Sequence, residues 1–140
     1  VPSELLAIGS PGSALRVTVT PIVSERPLAA SEEAAFEAVY DAEAHPFAGT
    51  VRDALLMSDL QAWRESLTRL QPPGDVILGG GRAAELRLHL RAASDGWTAE
   101  VRLRHSGDDP WPELRYVIFD VAPFIEASLV AVRELLGEHS

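Results

Sequence analysis

The chain has 140 residues and a formal net charge of -9 at pH 7, with 46% hydrophobic and 24% charged residues. That length suits a single core burying roughly two-thirds of the unfolded surface, and the balance is that of a globular domain rather than a disordered or membrane chain. Cysteine is absent and every basic residue is Arg, which excludes disulfides, thiolate nucleophiles, Schiff-base lysines and a P-loop lysine.

The absence of Lys and Asn beside abundant Ala, Arg, Gly and Pro points to a GC-rich bacterial genome. No apolar run approaches the roughly 20 residues that span a bilayer. Residues Val1–Gly12 lack a basic stretch followed by an apolar one, so no secretory leader is expected and the cytoplasm is the expected compartment. Net acidity disfavours phosphate-directed nucleic-acid binding and suits either solubility or a basic protein partner.

Pro2, Gly9, Pro11 and Gly12 break periodicity, so residues 1–13 read as an irregular lead-in whose Leu5, Leu6 and Ile8 dock on the core. From Leu15 the pattern alternates, with Leu15, Val17 and Val19 on one face and Arg16, Thr18 and Thr20 on the other. Pro21 marks this strand as an edge or a bulge. A second alternation sets Phe36, Ala38, Tyr40, Ala42 and Ala44 against an acidic face of Glu37, Asp41 and Glu43. A third strand follows over Phe47–Met57, with Phe47, Val51, Leu55 and Met57 on one face.

Ser58 and Gln61 have capping-box spacing, Asp59 suits the positive end of a helix dipole, and Leu60, Trp63, Leu67 and Leu70 form a helical stripe ended by Pro72, Pro73 and Gly74. A short strand, Val76–Leu78, leads to Gly79-Gly80-Gly81. Then comes a hairpin in which Leu86, Leu88 and Leu90 face the same way as Ala99, Val101 and Leu103. The Asp95-Gly96 turn signal predicts Ser94 opposite Trp97, and with it Leu90 opposite Val101 and Arg91 opposite Glu100. A polar loop spans Gly107–Pro112 and a last strand Leu114–Val121. A closing helix has Pro123 in its first turn, Ile125, Leu129, Val132 and Leu136 on one face, and Gly137 as its cap.

No internal repeat is visible, and residues 1–140 read as one domain. The expected fold is α+β: a two-layer sandwich with a mostly antiparallel sheet of about six or seven strands and two helices packed on one face.

Catalytic and metal signals are weak. The glycine triplet leads into a strand and not a helix, so it lacks the amide cradle of a phosphate loop. His45, His89, His105 and His139 have no ligand spacing, with His89 expected near Arg102 and His105 near Leu86. There is no G-x-S-x-G elbow. No catalytic residue, metal or cofactor is therefore assigned. Two surfaces stand out instead. One combines Glu37, Asp41 and Glu43 with a loop carrying Asp108, Asp109 and Trp111, as a contact surface for a basic protein. The other is an outward row of Arg87, Arg91, Arg102 and Arg104, with Arg115 nearby, suited to an anion. Self-association through an exposed edge over Leu15–Val23 is a further option, giving a homodimer.

Ser58-Asp59-Leu60 with Trp63, Leu67 and Leu70, then Glu85-Leu86-Arg87-Leu88, Gly96-Trp97, Val101-Arg102-Leu103, Phe119-Asp120 and Phe124-Ile125, together resemble the WapI-like bacterial immunity proteins and related actinobacterial domains. The likeness runs from about Phe36 to Leu136. It implies a small cytosolic protein that neutralises a toxin by binding it, without catalysis, and a basic toxin domain would suit the chain's acidity.

Overall fold

A computed structural model of the chain describes residues 3–10, 13–22, 34–45, 47–81, 83–94, 96–105 and 113–137. Eight strands and two helices follow one another as β1 (Ser3–Ser10), β2 (Ser13–Pro21), β3 (Ala35–Ala44), β4 (Phe47–Leu56), α1 (Met57–Thr68), β5 (Gly74–Leu78), β6 (Ala84–Ala93), β7 (Gly96–His105), β8 (Leu114–Ile118) and α2 (Ala122–Leu135). The α+β class and the antiparallel pairing hold. Among the described residues, however, the strands number eight and form two separate sheets of four, ordered β1-β2-β3-β4 and β5-β6-β7-β8. Four strands and a helix thus occur twice in succession, a repeat of topology that leaves no trace in the residues themselves.

The additional strand is β1, within the segment expected to be irregular. It pairs antiparallel with β2, and the register shifts between Glu4 and Leu6, so that Leu5 has no cross-strand partner. A bulge of this kind places two consecutive side chains on the buried side. Leu5 and Leu6 are both buried, which hides the period of two from the sequence. Because β1 and β3 flank β2 on its two sides, β2 is an interior strand, and the part of Leu15–Val23 that lies in it, Leu15–Pro21, is not the free edge expected.

Side-chain parity elsewhere follows the sequence. Val17, Tyr40 and Val51 line up across the first sheet, and Leu86, Leu88, Val101 and Leu103 across the second, all facing inward and buried. The β6–β7 hairpin differs in register. Ala93 pairs with Gly96, Leu90 with Ala99, Leu88 with Val101 and Leu86 with Leu103, a shift of two residues from the expected pairing. Gly96 is the first residue of β7 and has φ +137, a backbone geometry that favours glycine. The turn therefore closes one position earlier than the Asp95-Gly96 signal indicated.

Each helix packs against the sheet it does not follow. Helix α1 leaves β4 yet lies against β5, while α2 leaves β8 yet lies against β1, and the two helices touch each other. Helix α1 begins two residues earlier than the capping-box spacing predicted. Its N-cap is Leu56, whose amide donates to Asp59 Oδ2 at 2.8 Å. Asp59 thus fills the role assigned to Gln61, because β4 ends at Leu56, one residue short of the expected Met57, which instead opens the helix, while Leu55 pairs with Phe36 in the core. Trp63, fully buried on α1, donates from Nε1 to Ser128 Oγ on α2 at 3.0 Å, and Ser128 donates to the Leu5 carbonyl at 2.6 Å. One hydroxyl therefore ties both helices to the bulge of β1.

The sheets meet where Tyr116 of β8 donates to the Ala14 carbonyl at 3.1 Å, and where Asp53 of β4 accepts the Ala84 amide at the start of β6 at 2.8 Å. One hydrophobic cluster draws on both inner faces and both helices. No helix of the described residues is long and apolar enough to cross a membrane.

Candidate functional site

With the inner faces and helices committed to the core, the outer face of each sheet is left open, and the two faces differ in charge. On the first sheet the rows across the strands read Ala7, Arg16, Asp41, Thr50 and, next to it, Gly9, Ala14, Glu43, Ala48. Small residues dominate the second row, so little rises above the backbone there except Glu43. The result is a shallow hollow of about 480 Å3, flanked by Arg16, Asp41 and Glu43 and floored by Ala14, Ala48 and Gly49.

The expected acidic face is present, with Glu37, Asp41 and Glu43 all exposed on the outside of β3. Their charges are not equally available. Glu37 pairs with Arg52 at 3.3 Å, and Arg16, although opposite Asp41 in the register, turns to Glu4 at 3.3 Å. Asp41 accepts a 2.7 Å hydrogen bond from Thr50, which orients the carboxylate without neutralising it. Glu43 has no ion-pair partner among the described residues. Asp41 and Glu43, both at the hollow, therefore carry the uncompensated charge of this face. Asp108, Asp109 and Trp111, the other half of the expected contact surface, lie outside the described residues.

The outer face of the second sheet carries Arg87, Arg91, Arg102 and Arg104 as expected, and also Arg115 and Glu113. The two-residue change of register decides how they meet. In the expected pairing Arg91 would face Glu100. In the structure Arg87 faces Arg102, Arg102 faces Arg115, and Arg91 faces Thr98. Three arginines therefore stand in one row across β6, β7 and β8. Like charges directly opposite each other on a sheet are unfavourable, and the rows on either side bring acids, Glu85 beside Arg104 and Glu100 beside His89.

Each arginine of the row has a carboxylate two residues away on its own stretch of chain: Arg87 and Glu85 at 3.9 Å, Arg102 and Glu100 at 2.9 Å, Arg115 and Glu113 at 3.3 Å. The Arg102 hydrogen bond holds the Glu100 carboxyl below its ordinary pKa, and Glu100 in turn raises that of Arg102. Glu85 lies deepest. Its side chain is 15% exposed, against 40% for Arg87 and 57% for Arg104, and it accepts from Arg104 at 3.3 Å and from the Gly81 amide at 3.2 Å. The glycine triplet is a connection between strands, and one of its amides is occupied by a carboxylate of the chain itself.

Histidine placement follows the corrected register. His89 faces Glu100 rather than Arg102 and bonds to Asp75, while His105 pairs with Ala84 rather than lying by Leu86. Among the described residues no group of three His, Asp or Glu side chains could hold a metal ion.

Inside, the Tyr40 hydroxyl is buried without a hydrogen-bond partner. Burial pushes its pKa upward, and the negative charges of Asp53 and Asp59 add to the shift. Tyr40 is fully buried, so this hydroxyl belongs to the core rather than to either face.

No family model and no curated protein matches the chain. Among solved structures it is similar to that of the plant transcriptional regulator PBF-2, at 15% identity and a TM-score of 0.50, with 94% of this chain and 89% of that chain covered. At that identity the likeness concerns the fold.

Proposed function

We propose that the chain is a non-enzymatic protein-binding domain that receives a basic partner on the outer face of its first sheet, in the manner of an immunity protein that neutralises a toxin by direct contact. The observation that carries this reading is the hollow beside β3. There Asp41 and Glu43 keep uncompensated charge above a floor of Ala14, Ala48 and Gly49. A lysine or arginine side chain of a partner can lie along such a floor and reach both carboxylates, and the same acidity speeds encounter with a basic protein. The resemblance to WapI-like immunity proteins agrees with this reading. The cytoplasm, where such a partner would be met, is part of the same proposal.

The test is co-expression with the products of the neighbouring genes, together with calorimetry on the purified pair. Protection of growth is expected. Asp41→Asn combined with Glu43→Gln should weaken binding by about tenfold or more, because each removes a charge-assisted contact, and affinity should fall as salt rises. No protection, or binding indifferent both to salt and to the double substitution, would remove this reading.

A further inference from the structure

The arginine row on the second sheet is independent of that reading and supports a site of its own. Neighbouring strands lie about 4.8 Å apart, so the Cα atoms of Arg87, Arg102 and Arg115 fall within about 10 Å along a line across β6, β7 and β8. Such a row raises the energy of the unliganded sheet unless anions offset it. The chain's own carboxylates do so only in part. Arg102 and Arg115 each meet their glutamate through Nε, and neither has another hydrogen-bond or ion-pair partner among the described residues, although Glu113 and Asp75 also act on Arg102 through space. The outer edge of each guanidinium, the pair of terminal nitrogens suited to two-pronged contact with an oxyanion, is therefore unspent.

The depths of the side chains favour the same conclusion. Glu85, Glu100 and Glu113 are 15%, 27% and 38% exposed, whereas their partners Arg87, Arg102 and Arg115 are 40%, 33% and 56% exposed. The acids lie closer to the sheet and the guanidinium groups stand above them, so an anion arriving from solvent meets cations first. These groups line a polar depression of about 220 Å3 that contains Arg87, Arg102, Arg104 and Arg115 with Glu85 and Glu113. With Glu100, the ion-pair partner of Arg102, counted beside Glu85 and Glu113, four cations against three carboxylates leave a local surplus of one positive charge on a chain whose net charge is -9.

We propose that this depression binds a compact multivalent oxyanion of the phosphate class, such as a diphosphate, held by Arg87, Arg102 and Arg115 with Arg104 at its rim. Its volume corresponds to about seven water molecules at ~30 Å3 each, enough for a diphosphate with bridging waters. A carboxylate offers two oxygens and one charge, too few to engage three guanidiniums on three strands. A long polyanion fits poorly for a different reason. The row is fenced by Glu85 and Glu113 on one side and by Asp75 and Glu100 on the other, and every further phosphate would meet the net negative charge of the chain.

The test is titration of isotopically labelled protein with inorganic pyrophosphate at low ionic strength, following the arginine Nε–H resonances. Saturable shifts confined to Arg87, Arg102, Arg104 and Arg115 are expected. Arg102→Gln should weaken the affinity by about tenfold or more, and Arg133→Gln, on α2, should leave it unchanged. Arg115→Gln, on an edge strand, gives a second measurement should loss of Arg102 disturb the sheet, and the same weakening is expected. Absence of saturation at tens of millimolar pyrophosphate, or an affinity in the Arg102 and Arg115 variants equal to that of the parent protein, would overturn the site. Preference for a single-stranded oligonucleotide over pyrophosphate, per phosphate and with a steep salt dependence, would overturn the compact ligand.

Discussion

Apart from the aromatic Tyr40 and Trp63, Ser128 is the only side chain with a polar group among the fully buried described residues, and its hydroxyl has two obligations: it accepts from Trp63 Nε1 and donates to the Leu5 carbonyl. Ser128→Ala removes both bonds while changing the volume by a single oxygen. It leaves an indole N–H without its acceptor and the bulge carbonyl of β1 without its donor, in a region closed to water. Each buried group left unpaired costs about 1–3 kcal/mol. The expected loss is therefore about 2–6 kcal/mol, or roughly 7–20 °C in Tm for a chain of this length.

The measurement is urea unfolding of Ser128→Ala, Trp63→Phe and the double variant. With the indole donor already gone, the serine substitution strands one group instead of two, so its cost should fall by about 1 kcal/mol or more. A Ser128→Ala protein within about 0.5 kcal/mol of the parent, or a cycle additive within ~0.3 kcal/mol, would refute the claim that this hydroxyl joins the two helices to β1.

Three further outcomes follow from the same structure. Gly9→Ala should destabilise by about 2 kcal/mol or more, since at φ +152 a Cβ would lie 2.6 Å from the Ser13 oxygen and the Ala14 Cα of β2. Gly81→Ala, at φ +80 with nothing within 4 Å, should cost only about 1 kcal/mol, and denaturant midpoints in the reverse order would contradict the β1–β2 register. Tyr40→Phe removes a buried hydroxyl that has no partner, so calorimetric stability should be unchanged or higher by up to about 1 kcal/mol, and a loss above that would mean that the hydroxyl is bonded. Both tyrosines, Tyr40 and Tyr116, have pKa values raised by burial. The unfolded chain therefore releases phenolic protons first as pH rises past about 10, so stability is full below that pH and is lost above it. Ultraviolet difference spectra should show phenolate only together with unfolding, and a native-state titration near pH 10 would refute the burial of these rings.

The two candidate surfaces were legible to different degrees. Glu37, Asp41 and Glu43 fall on one outer face because alternation along β3 is a local property. That Arg16 and Arg52 would neutralise Glu4 and Glu37, leaving Asp41 and Glu43 charged, depends on cross-strand neighbours that no single stretch of sequence specifies. The outward orientation of Arg87 and Arg102 was likewise readable, but their juxtaposition was not. A hairpin slipped by two residues keeps every leucine on its buried face, so the hydrophobic pattern tolerates both registers and only the position of the turn distinguishes them. With the Asp95-Gly96 signal taken at face value, Arg91 would meet Glu100 and the row of three arginines would not exist.

The sequence by itself determined what repeats at short range: seven of the eight strands, both helices, the inward set of each strand, and Trp63 as a core residue. These depend on the period of two or 3.6 and on local caps and breakers. Tertiary structure decided what needs a distant partner. Strand β1 exists because β2 offers it a ladder and because Ser128, far along the chain, takes up the carbonyl of its bulge. The division into two sheets arises because each helix buries its apolar face on the other half of the repeat, which a pattern read along one segment does not specify.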